Sequence, residues 1–117
     1  MPLTRPADIY LRFLQLAEAV RGLPALPSLD PLEERILVLV AQANQSKRRL
    51  SVRDMIAVRE LGSPAMLHNR LKSMREKGWI VLQDTEDARR KQVELTPAAM
   101  RHFDKLSHCL VEAVNDV

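Results

Sequence analysis

The chain has 117 residues, room for one domain with a single core and too few for two ordinary domains. Apolar residues make up 46 % and aromatics 3 %, which excludes a disordered chain and requires a core built from Leu, Val, Ile, Ala and Met. The formal net charge of +3 is unevenly spread: between Lys47 and Lys91 twelve Lys and Arg face six Asp and Glu, a local balance of +6 against −3 in the remainder. Such a confined basic field suits a phosphate-bearing partner. One cysteine, Cys109, leaves no disulfide within the chain and points to a reducing, cytoplasmic setting. No stretch is long and apolar enough to span a membrane, and residues 1–9 lack the basic-then-apolar order of an export signal.

Ile9, Phe13, Leu16, Ala17 and Val20 recur at helical spacing and predict a helix over 7–20, which Tyr10 and Leu14 make apolar on a second side. Gly22, Pro24 and Pro27 mark a linker, expected to be ordered because Leu23, Leu26 and Leu29 need cover. Asp30-Pro31 is a helix start, an amide-capping side chain followed by a residue suited to the first turn. The run Ile36 to Val40 then predicts a helix over 32–43 buried on most sides. After a polar, basic stretch over 44–49, Leu50 is expected to form a minimal strand and Ser51 to cap a helix over 52–58, with Met55 and Ile56 inward. Glu60-Leu61-Gly62 reads as a tight turn. Ser63-Pro64 opens a further helix that runs to Lys77 and stops at Gly78. Residues 79–83 and 91–95 predict two strands, Val93 and Leu95 alternating with Gln92 and Glu94, joined by a charged turn. Thr96-Pro97 caps the last helix, expected over 97–115. Its residues Phe103, Leu106, Leu110, Ala113 and Val117 form a seam suited to a helical partner.

Helix, short turn, helix and hairpin therefore fall together over 51–95, where the basic charge lies. A helix-turn-helix places its second helix in the DNA major groove. That helix needs an N-terminus near the DNA, an apolar face to seat it and a polar face to reach base edges. In the helix opened by Ser63, Leu67, Leu71 and Met74 form the apolar stripe with Met66 beside it. Ala65, His68, Asn69, Lys72 and Glu76 face the other way. Asn69 suits a bidentate contact with adenine, His68 a guanine or phosphate, and Ala65 a thymine methyl. Lys72 is placed for backbone phosphate, and Arg70 lies at the border of the two faces, within swing of one. Arg53, on the preceding helix, is a candidate backbone clamp. Lys47, Arg48 and Arg49 are either flanking phosphate contacts or a solvated loop. At the hairpin tip Arg89, Arg90 and Lys91 concentrate charge suited to phosphates or the minor groove, with Asp87 close enough to brace Arg89.

These residues resemble the MarR family of transcription regulators. The segment from Asp84 to Ala98 is similar to that family's wing, an Asp-x-Arg unit (Asp87, Arg89) followed by a returning strand and a Leu-Thr entry to the next helix (Leu95, Thr96). Met74-Arg75-Glu76-Lys77-Gly78-Trp79-Ile80 looks like the family's passage from recognition helix to wing. The resemblance covers nearly the whole chain in layout and residues 50–98 in motif. It implies a mainly α fold with a small β-hairpin wing, a single winged helix-turn-helix domain over 1–117 with terminal dimerisation helices at 7–20 and 97–115. Phe13, Leu16, Phe103, Leu106, Leu110 and Ala113 would form the dimer interface. Two copies would bind a pseudo-palindromic operator in double-stranded DNA, most simply as a repressor, with Arg89 at the minor groove. The chain is shorter than typical members, and a small-molecule effector is left open.

Other functions find less support. His68, His102, His108 and Cys109 supply no four-ligand metal set, no Gly-rich phosphate loop occurs, and no catalytic group or cofactor site is expected. The alternative is a winged helix serving protein contacts, or plasmid or phage replication or partition.

Overall fold

A computed structural model describes residues 6–21, 26–86 and 90–116. The order is α1 (Pro6–Arg21), α2 (Pro31–Gln45), α3 (Val52–Ile56), a 3-10 turn (Arg59–Leu61), α4 (Pro64–Glu76), β1 (Ile80–Asp84), β2 (Lys91–Leu95) and α5 (Pro97–Asn115). The chain divides into two compact units, one of residues 1–25 and 100–117, the other of residues 26–99.

In the second unit every α-helix start carries the chemistry that its sequence announces. Asp30 accepts from the Glu33 N–H at 2.8 Å while the Glu33 side chain accepts from the Asp30 N–H at 3.0 Å, a reciprocal capping box. Ser51 and Asp54 make the same exchange at α3, at 3.0 and 2.9 Å. Ser63 accepts from the Met66 N–H at the head of α4, and Thr96 from the Ala99 N–H at the head of α5. Helix α4 ends as expected at Gly78, whose φ of 86° lets the Trp79 N–H reach the Met74 carbonyl at 3.0 Å. Helix α2 ends by the same device with a lysine: Lys47 has φ 58°, and the Arg48 N–H reaches the Ala43 carbonyl at 2.8 Å. The polar composition of residues 44–49 conceals this cap.

The core of this unit joins Ile36, Leu37, Val40 and Ala43 of α2 to Met55, Leu61, Leu67, Leu71, Met74, Trp79, Ile80 and Val93, all buried. Each large side chain so placed contributes about 1.5–3 kcal/mol relative to exposure. The hairpin pairs Ile80 with Leu95 through to Asp84 with Lys91, antiparallel. The expected strand at Leu50 is a stub: its carbonyl accepts from the Val93 N–H at 2.8 Å, and Ser51 bridges Gln92. This ties the head of α3 to the wing.

Four expectations need correction. Val38 is exposed, so α2 is not buried on most sides; the apolar run is longer than the face that its neighbours cover. Met66 is 44 % exposed, one residue off the Leu67–Leu71–Met74 stripe. Helix α3 ends at Ile56 because the chain turns at Ala57 toward the 3-10 segment, and β1 starts one residue late, at Ile80. Leu23 lies outside the described residues.

In the first unit α1 turns Ile9, Phe13, Leu16, Ala17 and Val20 inward, and Arg12 Nε lies 2.8 Å from Asp116 Oδ2 beyond the end of α5. The apolar seam of α5 splits in two. Leu106 is half-buried and Cys109 and Ala113 are buried, whereas Leu110, Val111 and Val114 are exposed.

Two of the positive-φ backbone positions, Lys47 and Gly62, give opposite expectations. Lys47→Gly relieves a side chain from an αL cap and should raise stability by about 1 kcal/mol. Gly62→Ala should lower it, because φ is 142° and an added Cβ would lie 3.2 Å from Met66 Sδ. Urea denaturation of the two variants checks both signs.

Candidate nucleic-acid interface

The geometry of α4 follows from its period. Leu67, Leu71 and Met74 are 0 %, 5 % and 0 % exposed, so one face is spent entirely on the core. Ala65, His68, Asn69, Lys72 and Glu76 are then forced outward, and all five are exposed. His68, Asn69 and Lys72 make no side-chain hydrogen bond or ion pair among the described residues, which leaves their donors and acceptors open to a ligand. Ser63 is partly committed, since its hydroxyl accepts from the Met66 N–H at 3.3 Å.

Several cations of the basic segment are engaged within the unit. Arg70 Nε lies 2.8 Å from Asp30 Oδ2. Its N–H is not aimed at that oxygen, so the contact is an ion pair without an aligned hydrogen bond. Lys77 Nζ lies 3.0 Å from Glu33 Oε1, Arg49 Nη1 lies 2.7 Å from Glu94 Oε1, and Lys91 pairs with Asp84 across the hairpin. Lys47, Arg48, Arg53, Arg59, Lys72, Arg75 and Arg90 have no ion-pair partner among the described residues. Of the expected wing residues, Arg90 and Lys91 are exposed, while Asp87 and Arg89 lie outside the described residues.

Between the head of α3 and the wing runs an open cleft of about 350 Å³, lined by Arg49, Ser51, Asp54, Thr85, Glu86, Arg90 and Gln92. Thr85 Oγ1 donates to the Arg90 carbonyl at 2.9 Å, which orders the base of the wing. The Ser51 backbone N–H, then the Ser51 hydroxyl and the Arg90 charge, hold the Asp54 carboxyl below its ordinary value of 3.8 against a smaller opposing effect of burial. Two arginines meet two carboxylates here, so the cleft is balanced in charge.

Sequence reasoning missed Asp30, Glu33 and Lys77 as contributors to the site. The spacing Asp30-Pro31-Leu32-Glu33 is a readable capping-box signature. That Glu33 also meets a lysine 44 positions away is not. Among the described residues no His, Cys, Asp or Glu group could hold a metal ion, and no helix is long and apolar enough to cross a membrane.

No protein-family model matches the chain, and no curated protein matches it. Solved structures do. MepR from S. aureus, bound to an oligodeoxyribonucleotide, is similar at TM-score 0.66 and 16 % identity, over 92 % of this chain and 75 % of that one. The adhesin competence repressor AdcR from Streptococcus pyogenes is similar at TM-score 0.55 and 22 % identity, over 95 % and 78 % of the two chains. A MarR-like transcriptional regulator from Thermotoga maritima is similar at TM-score 0.58 and 17 % identity, over 97 % and 83 %. At these identities the likeness is one of fold. The chain has the winged helix-turn-helix fold of MarR-type transcriptional regulators, with α3 and α4 as the helix-turn-helix and β1–β2 as the wing.

The Asp54 cap gives the unit a defined acid response. A carboxyl that ionises more readily folded than unfolded stabilises fully above the unfolded value, and that contribution is lost as pH falls through the lower folded value. Wild-type protein should therefore lose stability below pH 3.8 more steeply than Asp54→Asn, which keeps an acceptor for the Ser51 N–H but does not titrate. Denaturation midpoints measured from pH 5 down to pH 2.5 read the difference.

Proposed function

We propose that this protein is a MarR-family transcription regulator that binds double-stranded DNA sequence-specifically as a homodimer, in the cytoplasm, and represses. The observation that carries the reading is the outward face of α4. Asn69 and His68 stand one helical turn from its N-terminus, exposed and uncommitted, on a helix whose opposite face is fully buried. A helix so seated is an exposed polar ridge, the form that enters a major groove. The oligonucleotide bound to MepR supports this reading, and the name of AdcR favours repression over activation.

In this reading Asn69 pairs with adenine, His68 and Ala65 touch neighbouring base edges, and Lys72, Arg53, Arg90 and Lys91 meet phosphates, with Arg89 in the minor groove. Ser63 holds the head of α4 toward the backbone. Arg70, drawn to Asp30, reaches a phosphate only by leaving that pair.

Dimerisation draws support from the first unit. Tyr10, Leu11 and Leu14 of α1 and Leu110, Val111 and Val114 of α5 are all exposed, Tyr10 to 60 %. Exposed apolar side chains grouped at helical spacing mark association surfaces. Phe13, Leu16, Phe103 and Leu106 are half-buried and still offer area. Ala113 offers none, being 0 % exposed within one chain, and so drops out of the expected interface; its small side chain is used inside the protomer.

The test is selection of duplexes from a random-sequence pool by the purified protein. The reading expects an enriched inverted repeat. Asn69→Ala should relax preference at one base pair of each half-site, at about 1–3 kcal/mol, with the salt dependence of binding unchanged. Enrichment of no sequence, with weak binding that vanishes at high salt, would instead favour a protein-interaction module. Leu14→Asp with Leu110→Asp should convert a sedimenting dimer to a monomer, and a wild-type monomer at micromolar concentration contradicts the dimer.

A further inference from the structure

We infer that Asp30 and Glu33 of α2 are positioning residues that set the orientation in which α4 presents its outward face; the inference rests on the DNA-reading function just proposed. Two ion pairs connect the helices at the same end of α2. Arg70 Nε is 2.8 Å from Asp30 Oδ2, and Lys77 Nζ is 3.0 Å from Glu33 Oε1. Arg70 and Lys77 are seven residues apart, two turns of helix, so they lie along one side of α4 separated by about 10 Å. One contact would fix a point. Two contacts spaced along the axis fix a direction.

The apolar stripe alone does not do this. Burial of Leu67, Leu71 and Met74 is favourable in proportion to area and is non-directional, so it tolerates small rotations and slides. Base readout does not, since a contacting constellation must be held to within about 0.5 Å. The aligned Lys77–Glu33 hydrogen bond supplies a directional constraint, and the Arg70–Asp30 ion pair adds a second point of attraction along the axis. Glu33 is suited to it. It is 2 % exposed, its Oε1 already accepts from the Asp30 N–H at 3.0 Å, and it sits at a helix N-terminus where negative charge is favoured. Lys77 caps the opposite, negative end of α4 and also donates to the Ser28 carbonyl at 3.0 Å. Trp79 Nε1 donates to the Pro27 carbonyl at 2.8 Å, so the segment entering α2 is fastened to the exit of α4 by two further bonds.

Only the Lys77–Glu33 pair holds a buried charge: the Glu33 side chain is 2 % exposed, whereas those of Arg70 and Asp30 are 40 % and 36 % exposed. A buried ion pair commonly gains nothing over apolar residues of similar volume, because desolvation offsets the attraction. Here the satisfaction is also incomplete. Among the described residues, the buried side-chain polar atoms without a hydrogen-bond partner are Glu33 Oε2 and Arg70 Nε, one from each pair. Both fall in this one junction, in a unit whose other buried polar side chain, Ser51, is bonded. A hydrogen-bonded ion pair that adds little to stability can still fix geometry.

The test separates the two. Glu33→Gln keeps an acceptor for the capping box, Lys77→Met keeps the apolar stem, and the double variant E33Q/K77M leaves no uncompensated charge. Thermal midpoints are measured for the full chain. Affinities are measured for the duplex that wild type enriches from the random pool and for an arbitrary-sequence duplex. The expected result is a double variant with a midpoint at or above that of either single variant and near that of wild type. Its affinity for arbitrary DNA should change less than threefold, while its ratio of selected to arbitrary affinity falls tenfold or more. A double variant that folds and keeps the ratio within threefold of wild type overturns the inference and leaves the DNA-reading function standing. A ratio restored merely by lowering the temperature overturns it too, since the pair would then act through stability alone. Wild-type protein that enriches no sequence overturns the function itself and this inference with it.

Discussion

The seating of α4 on its apolar stripe governs the rest of the second unit. Leu67, Leu71 and Met74 are buried to within a few per cent of completeness, so helical periodicity decides which residues of α4 lie on its outward side. The head of α4 is fixed by Ser63 and its exit by Gly78, whose left-handed backbone turns the chain directly into β1. The hairpin then returns along β2, and the stub at Leu50 and Ser51 joins it to the head of α3. The outward face of α4, the hairpin and α3 are thus connected by packing and backbone hydrogen bonds.

Charge plays a more selective part than composition suggests. The +6 balance between Lys47 and Lys91 is real, yet Arg49, Arg70, Lys77 and Lys91 are paired inside the unit. Among the described residues, the cations left over are those on the basic turn after α2, on α3 and the 3-10 segment, on α4 and at the base of the wing. Exposed pairs such as Lys91 with Asp84 contribute little to stability. The pair of Glu33 with Lys77 differs because the carboxylate is buried, and removing one partner would leave the other desolvated.

Much of this was legible in the sequence because it is local. Cap residues precede their helices by fixed offsets, and apolar spacing separates the two faces of α4 without any tertiary knowledge. The second strand, Lys91–Leu95, follows from simple alternation. What was hidden is long-range or conformational. Nothing local says that Lys77 meets Glu33 or that Arg70 meets Asp30. A lysine at the left-handed cap of α2 defies the preference for glycine that makes such caps readable. A 3-4 spacing along α5 describes both the side that packs within the protomer, where Ala113 is buried, and the side that faces out, where Leu110 is exposed. Only burial tells them apart.

In the proposed function the outward face of α4, with the wing, meets duplex DNA. Backbone amide shifts of the labelled protein, followed as a random-sequence duplex is added at low salt, test it most directly. Shifts are expected to be concentrated over residues 63–72, at Arg53 and at Arg90 and Lys91, and to reverse as salt is raised. Shifts confined to residues 10–14 and 110–114, or none at any salt, would contradict it.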